Sequence, residues 1–237
     1  MNLALRHLIY NQFKIASIIM KAEFWHEKWE RNEIGFHQTE INPYLTKYWK
    51  KLKIPEHKAV FVPLCGKSLD MIWLHEMGHH VIGIELNRGA VESFFAECGL
   101  QPEVTEEGNL TQFWAPGYTL YCGDFFDLTA DAMQDVGAVY DRAALIAMSH
   151  SSRPRYVEHL LSILPAGSPI LLVTMEYDQN EMNGPPFSVS QEEVAHLFAD
   201  HYSVRLLEEN DILEENPVFI ERGLSHLTER CSWIKPF

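Results

Sequence analysis

The sequence predicts an α/β fold in which a parallel, twisted sheet is covered by helices on both faces. Short apolar runs typical of buried strands recur from residue 59 onward, and helical segments with start and stop signals separate them. No Gly-, Ser- or Pro-rich linker divides the chain. Strands separated by helices of this length form right-handed βαβ units, which place the strands in one sheet.

The apolar runs predicted as strands are short and nearly continuous in apolar character. This composition is typical of strands that are buried on both faces. The run over residues 169–175 gives the strongest strand signal, and the more polar residues 101–117 predict a connector with some strand character. In chain order the predicted strands cover residues 59–64, 80–85, 119–122, 137–140, 169–175, 202–207 and 225–233.

The helices between these strands are predicted from their capping signals. Ser68 suits the N-cap of the first helix, and Asp70 suits its first turn, where a carboxylate interacts favourably with the helix dipole. Gly78 ends this helix. Ser190 and Glu193 form a capping box at the start of the last one. The predicted helices cover residues 68–77, 90–97, 155–164 and 191–198.

The N-terminal region precedes the predicted sheet. We expect residues 1–20 to be an extension, either absent from the native protein, with Met20 as its start, or loosely ordered. Polar and charged side chains interrupt its apolar run and no small-residue cleavage site follows, so we do not expect a targeting peptide. Residues 21–237 are expected to form a single domain, in which residues 21–55 are a helical lid.

The charge balance narrows the range of partners. The 237 residues contain 19 Lys and Arg against 33 Asp and Glu, a formal net charge of −14. A field of this sign repels phosphate backbones and anionic membranes, so neither nucleic acid nor membrane is expected as a partner. No apolar stretch approaches the ~20 residues of a membrane helix. The four scattered cysteines indicate a reducing compartment, and we expect a cytoplasmic protein.

The loop after the first strand is the predicted ligand site, because parallel α/β sheets bind ligands beyond the carboxyl ends of their strands. Gly66 would let a ligand approach the backbone there. A phosphate-binding loop and a dinucleotide motif are both disfavoured, since the glycines that they require are absent. Glu85 ends the second strand, where an acid commonly binds ribose hydroxyls, although a solvated strand-end carboxylate is the alternative.

His75, Glu76 and His79 match the H-E-x-x-H pattern of zinc proteases. That chemistry requires both histidines on one face of a continuing helix. Gly78 lies between them and strand-like sequence begins at His80, so we favour a histidine-rich helix end over a zinc site.

Aromatic residues and an arginine also point to the same cleft. Trp25 and Trp29 have helical spacing, and one of them is accounted for by packing on the domain. A loop that carries Trp29 and Phe36 over the sheet edge would close a pocket with flat apolar walls, suited to purines. Arg142 leaves the fourth predicted strand toward this cleft, although a surface ion pair is the alternative.

Taken together, several segments in order resemble the thiopurine S-methyltransferase family, in its bacterial form related to tellurite- and selenium-methylating enzymes. The resemblance runs from about residue 23 to the C-terminus. Pro63 and Cys65 replace the glycine-rich first loop common among class I methyltransferases, a departure characteristic of this family. The segments are Phe24-Trp25 with Trp29, Gly35-Phe36-His37-Gln38, Val62-Pro63-Leu64-Cys65-Gly66-Lys67-Ser68, Gly83-Ile84-Glu85, Cys122-Gly123-Asp124-Phe125-Phe126, Tyr140-Asp141-Arg142-Ala143-Ala144-Leu145 and Gly184-Pro185-Pro186-Phe187.

The resemblance implies a class I fold with a seven-stranded, mostly parallel sheet, and S-adenosylmethionine as the cofactor, with S-adenosylhomocysteine as its product. It implies no metal. Arg142 is the implied catalytic residue, either neutralising the cofactor carboxylate or steadying a thiolate acceptor, and Phe36 is implied to meet the substrate. The implied cofactor-binding residues are Trp29, Leu64, Glu85, Asp124, Phe125 and Arg142.

The expected reaction is methyl transfer to a small aromatic or heterocyclic thiol, such as a thiopurine, or to a related selenium or tellurium compound. An acceptor thiol that is ionised near neutral pH needs little help from a general base. A non-catalytic S-adenosylmethionine-binding module is the alternative, because the sequence contains no obligatory nucleophile or base. We expect the protein to be a monomer.

Overall fold

The computed structural model describes residues 22–35 and 37–237. The predicted extension over residues 1–20 and Phe36 lie outside the described residues. The helices of the described part are α1 (residues 22–30), α2 (Pro43–Tyr48), α3 (Leu69–Glu76), α4 (Arg88–Glu97), α5 (Ala144–Ala147), α6 (Arg153–Ile163), α7 (Gln191–Leu197) and α8 (Pro217–Glu221).

The described strands form one sheet, which has nine strands in the order β3-β4-β5-β2-β1-β6-β7-β9-β8. The five strands from β5 to β7 in this order are parallel, and the remaining pairs are antiparallel. The strands are β1 (Ala59–Val62), β2 (Val81–Glu85), β3 (Glu103–Glu107), β4 (Leu110–Ala115), β5 (Tyr118–Cys122), β6 (Val136–Asp141), β7 (Ile170–Glu176), β8 (Tyr202–Asp211) and β9 (Thr228–Pro236).

The predicted α/β class is confirmed, but the sheet has nine strands rather than seven. The two additional strands, β3 and β4, form a hairpin within the stretch that the sequence predicted as a connector. All five residues of β3 are exposed, so that strand carries no apolar pattern by which it could be recognised. Its glutamates also protect the sheet edge from pairing with another chain.

Both faces of the sheet are covered, as predicted. Successive side chains of a strand point to opposite faces, so Phe61 packs into one core while its neighbours Val60 and Val62 pack into the other. Helix α6 contributes to the Phe61 core, whereas α3 and α4 contribute to the core around Val60 and Val62. None of the described helices is long and apolar enough to cross a lipid bilayer.

The order of the strands creates a crevice next to β1. From β1 the chain proceeds by way of α3 to β2 on one side, and β6 lies on the other side. Such a reversal leaves space beyond the carboxyl ends of the central strands, which is where ligands of open α/β sheets bind.

Candidate active site

Four of the site residues predicted from the sequence lie at the carboxyl ends of neighbouring strands. Leu64 follows β1, Glu85 ends β2, Asp124 follows β5 and Arg142 follows β6. Because these four strands are adjacent and parallel, their carboxyl ends meet at one edge of the sheet. The fold therefore brings residues from four separate segments of the chain to one crevice.

The loop between β1 and α3 has an unusual backbone. Leu64 has a φ of 48° and Gly66 a φ of 53°, so both lie in the left-handed region. A non-glycine residue there costs of order 1 kcal/mol, and such strain is commonly found at functional sites. A Cβ atom at Gly66 would lie 3.2 Å from Cζ2 of Trp29, so the indole rests directly on this glycine. The glycine lets α1 close over the loop.

A second glycine, Gly83 in β2, makes room for the side chain that anchors the same loop. The Cys65 N–H donates to the Ile84 carbonyl at 2.9 Å, and the Cys65 side chain is buried. A Cβ atom at Gly83 would lie 2.7 Å from the Cys65 sulfur, so only glycine at this position leaves room for the thiol. Cys65 thus acts as a small packing group that joins the β1 loop to β2.

Glu85 is buried, and its carboxylate is held by the backbone. Its Oε2 accepts from the Gly66 N–H at 3.0 Å, and its Oε1 accepts from the Asn87 N–H at 2.8 Å. Burial raises the pKa of Glu85, and the backbone hydrogen bonds oppose that rise. Each carboxylate oxygen still has accepting capacity, so the group can take two hydrogen bonds from a cis-diol.

Arg142 is held by a buried carboxylate that the sequence did not identify as its partner. Its Nε lies 3.1 Å from Oδ2 of Asp70, and its NH2 group lies 3.4 Å from the Ser68 hydroxyl. Asp70 also accepts from the Tyr140 hydroxyl at 3.0 Å and from the Asn42 N–H at 2.8 Å. From the sequence, Asp70 was only a favourable charge in the first turn of a helix. Its partners come from two segments that are distant from it in sequence, one at Asn42 and the other at Tyr140 and Arg142.

One cavity joins three of the predicted residues. Trp29, Leu64 and Arg142 line it together, and Glu85 reaches its edge through the bond to Gly66. The full lining comprises Trp29, His37, Leu64, Cys65, Gly66, Lys67, Ser68, Arg142 and Ala143. His37 and Lys67 were not predicted as site residues, although both belong to the motifs that carry the family resemblance.

The segment after β5 lies apart from that cavity's lining. Oδ1 of Asp124 accepts from the Phe126 N–H at 3.0 Å and caps the short turn that follows. The Phe125 ring is buried in the core against Phe61 and Tyr156, with centroid distances of 6.5 and 5.0 Å. A role for Asp124 and Phe125 beside an adenine stays a prediction.

The zinc-hydrolase alternative is wrong for geometric reasons. Helix α3 ends at Glu76, so His79 does not share a helix face with His75. The His79 ring is buried, with Nε2 accepting from the Trp49 indole at 3.0 Å and Nδ1 lying 3.1 Å from the Lys58 carbonyl. Among residues 22–35 and 37–237, no group of three or more potential ligands is placed to hold a metal.

Asp141, next to Arg142 in sequence, is a buried carboxylate with a structural role. Its Oδ1 accepts from the Ala144 and Leu145 N–H groups at 3.1 and 3.2 Å, and its Oδ2 accepts from the Tyr156 hydroxyl at 2.7 Å. Burial raises the pKa of Asp141 from 3.8 to about 6, despite these hydrogen bonds. The native state therefore binds a proton here more tightly than the unfolded chain.

This raised pKa predicts a pH-dependent stability difference. The stabilising contribution of protonated Asp141 is complete below pH 4 and is lost as the pH rises through about 6. Relative to the wild type, Asp141→Asn should gain about 2 kcal/mol of unfolding free energy between pH 4 and pH 7. Asparagine can accept from the two N–H groups and donate to Tyr156. Urea unfolding of the wild type and the variant at both pH values measures these free energies. If the variant and the wild type differed by the same amount at pH 4 and pH 7, the prediction would be contradicted.

The crevice beside β1, the mixed sheet and the strand-end residues define a class I S-adenosylmethionine-dependent methyltransferase fold. The structure of a Burkholderia thailandensis 1,6-didemethyltoxoflavin-N1-methyltransferase, solved with S-adenosylhomocysteine, is similar with a TM-score of 0.63. It is 14% identical, and the match covers 94% of this chain and 90% of that one.

Within this class, the family model described as thiopurine S-methyltransferase matches residues 20–236, and the chain belongs to that family. A thiopurine S-methyltransferase of Pseudomonas fluorescens (strain Pf0-1) is 51% identical over 216 residues, covering 91% of this chain and 99% of the relative. One from Nitrosospira multiformis is 52% identical over 210 residues, covering 89% and 96%.

Proposed function

We propose that the protein transfers the methyl group of S-adenosylmethionine to the sulfur of a small aromatic or heterocyclic thiol, such as a thiopurine, or to a related selenium or tellurium compound. The observation that carries this proposal is the single cavity at the switch point of the sheet, where Trp29, Leu64 and Arg142 meet beside Glu85. Membership of the thiopurine S-methyltransferase family supports it.

The residues present fit S-adenosylmethionine. Gly66 has no side chain, so Trp29 can lie directly against it in the wall of the cavity. Glu85 is pre-positioned by two backbone donors and offers its remaining lone pairs to a ribose diol. Trp29 and Leu64 provide apolar surface. When bound, the cofactor would supply a methyl group activated by a sulfonium, and the thioether would leave as a soft acceptor takes that methyl.

The protein then contributes mainly proximity and alignment, which can lower a barrier by several kcal/mol. Arg142 is fixed by Asp70 and Ser68 and lines the cavity, so it presents positive charge without having to reorganise. We assign it to the cofactor carboxylate or to a thiolate acceptor. Phe36 is assigned to stacking on the acceptor ring, and residues 21–55 to a lid carrying Trp29 over the loop.

The net charge of the protein indicates which class of methyl acceptor it uses. A net charge of −14 disfavours nucleic-acid acceptors and leaves a small molecule as the substrate. The protein is proposed to work as a cytoplasmic monomer.

Calorimetric titration with S-adenosylhomocysteine, followed by turnover with 6-mercaptopurine and S-adenosylmethionine, tests the function. We expect binding at one site per chain and production of the methyl thioether. Binding without turnover on any thiol or chalcogen acceptor would instead support the non-catalytic cofactor-binding module. Failure to bind S-adenosylhomocysteine would contradict both hypotheses.

A further inference from the structure

His37 lines the cavity in a state that is suited to accepting a proton. Its side chain is partly buried and shares the cavity wall with Leu64 and Arg142. Its backbone N–H is used, donating to the Ile34 carbonyl at 2.8 Å, but its ring makes no hydrogen bond to any residue in the described part of the chain. The imidazole is therefore available to a ligand.

The surroundings of His37 favour the neutral ring. Burial lowers its pKa below 6.5, and the positive charges of Lys67 and Arg142 lower it further, while Glu97 on α4 acts in the opposite direction. Lys67 and Glu97 form an ion pair at 2.6 Å, so their opposite effects on the pKa of His37 partly cancel, and burial remains the largest cause. At pH 7 the ring therefore has a free nitrogen lone pair.

The contrast with His79 shows why His37 is distinctive. His79 is also neutral for reasons of burial, but both of its ring nitrogens are engaged, one with Trp49 and the other with Lys58. It contributes to packing and cannot exchange a proton with a ligand. His37 lines the cavity, and its ring makes no hydrogen bond to the residues that the structure describes.

We propose that His37 is a catalytic base for acceptor thiols that are not ionised at neutral pH. This inference rests on the proposed S-methyltransferase function and extends its substrate class from acidic aromatic thiols to thiols of ordinary pKa, ~8.5. General-base assistance is unnecessary for an acceptor that is already a thiolate, so both classes can use one cavity.

The step balances without a further reactant. The thiol proton passes to the free ring nitrogen of His37, while the acceptor sulfur forms a bond to the methyl carbon. The bond between that carbon and the sulfonium breaks, and its electron pair stays on the sulfur of S-adenosylhomocysteine. The imidazolium, destabilised by Lys67 and Arg142, then returns its proton to water.

Two small benzene-based thiols of different acidity separate this role from a structural one. The thiol of 4-nitrobenzenethiol is ionised at pH 7, whereas that of phenylmethanethiol is protonated. We expect His37→Gln to lower kcat/KM for phenylmethanethiol by about 100-fold and to leave that for 4-nitrobenzenethiol within about 2-fold. The variant's rate on phenylmethanethiol should rise steeply between pH 7 and 8, where the wild-type rate is nearly flat.

His57→Gln is the matched control, because His57 is exposed and precedes β1 at the opposite end of the sheet. It should leave both rates unchanged. NMR titration of histidine-labelled, ligand-free protein gives a readout other than activity, and the resonance missing from His37→Gln should titrate below pH 6.5. Titration at or above 6.5 would overturn the proposal.

The outcomes also separate the two proposals. Equal loss on both thiols, or no loss on either, would overturn the base role of His37 while leaving the S-methyltransferase function intact. Absence of wild-type turnover on both thiols and on 6-mercaptopurine would overturn the proposed function and, with it, the role of His37.

Discussion

Replacing Glu85 by glutamine should weaken S-adenosylhomocysteine binding by about 100-fold. The Gly66 and Asn87 N–H groups point at different oxygens of the carboxylate, and an amide can offer an acceptor to only one of them. The other N–H would face the amide NH2, and a bound diol would lose a charged acceptor. Hydrogen bonds to charged groups contribute about 1.5–3 kcal/mol each, which corresponds to this loss of affinity.

Isothermal titration calorimetry measures the change in affinity. Glu103→Gln serves as the control, because Glu103 is exposed on the edge strand β3 and should leave the affinity unchanged. Thermal unfolding shows whether the Glu85→Gln variant is folded. Unchanged affinity in a folded variant would mean that Glu85 does not bind the ribose.

Replacing Asp70 by asparagine should cost about 3–5 kcal/mol of unfolding free energy, which lowers Tm by roughly 10 °C in a chain of this size. Asp70 is 1% exposed, accepts from the Asn42 N–H and the Tyr140 hydroxyl, and forms an ion pair with Arg142. Without the charge of Asp70, the largely buried Arg142 guanidinium loses the carboxylate that lies 3.1 Å from its Nε, and the amide NH2 faces existing donors. Methyl transfer should fall as well, because Arg142 is no longer held in the cavity.

Thermal and urea unfolding measure the stability, and turnover of a thiopurine measures the activity. The ion pair between Glu92 and Arg88 provides a comparison of the same chemistry at the surface. Its atoms are 2.8 Å apart, but both side chains are more than half exposed. Glu92→Gln should therefore change stability by less than ~0.5 kcal/mol. If Asp70→Asn were equally mild, Asp70 would not be the anchor of Arg142.

Strands and helices were largely predictable, because their signals are local. The capping side chain of Ser68 accepts from the Asp70 N–H, as the sequence predicted. Ser190 accepts from the Glu193 N–H, which is one half of the predicted capping box, whereas the Glu193 carboxylate pairs with Arg153. The hairpin of β3 and β4 was not predicted as two strands. Its outer strand is stabilised by pairing with β4 and by no apolar pattern of its own.

Those residues of the candidate site that lie at strand ends could be predicted from the sequence. Glu85 and Arg142 could be placed at one sheet edge because parallel strands share a direction. The pairing of Arg142 with Asp70 could not be predicted, since it depends on how α3 packs beside β6. The position of His37 in the cavity likewise depends on how the N-terminal segment lies over the sheet.

The sequence by itself determined the α/β class, the approximate bounds of the five parallel strands and of helices α3, α4, α6 and α7, the charge that disfavours polyanionic partners, and the motifs of the family. Strands, helices and motifs follow from residues that are close in sequence, and the net charge follows from composition alone. The tertiary structure decided which side chains meet, namely Trp29 with Gly66, Asp70 with Arg142, and His79 with Trp49 rather than with a metal. Such contacts depend on the relative placement of distant segments, which packing of the whole domain sets.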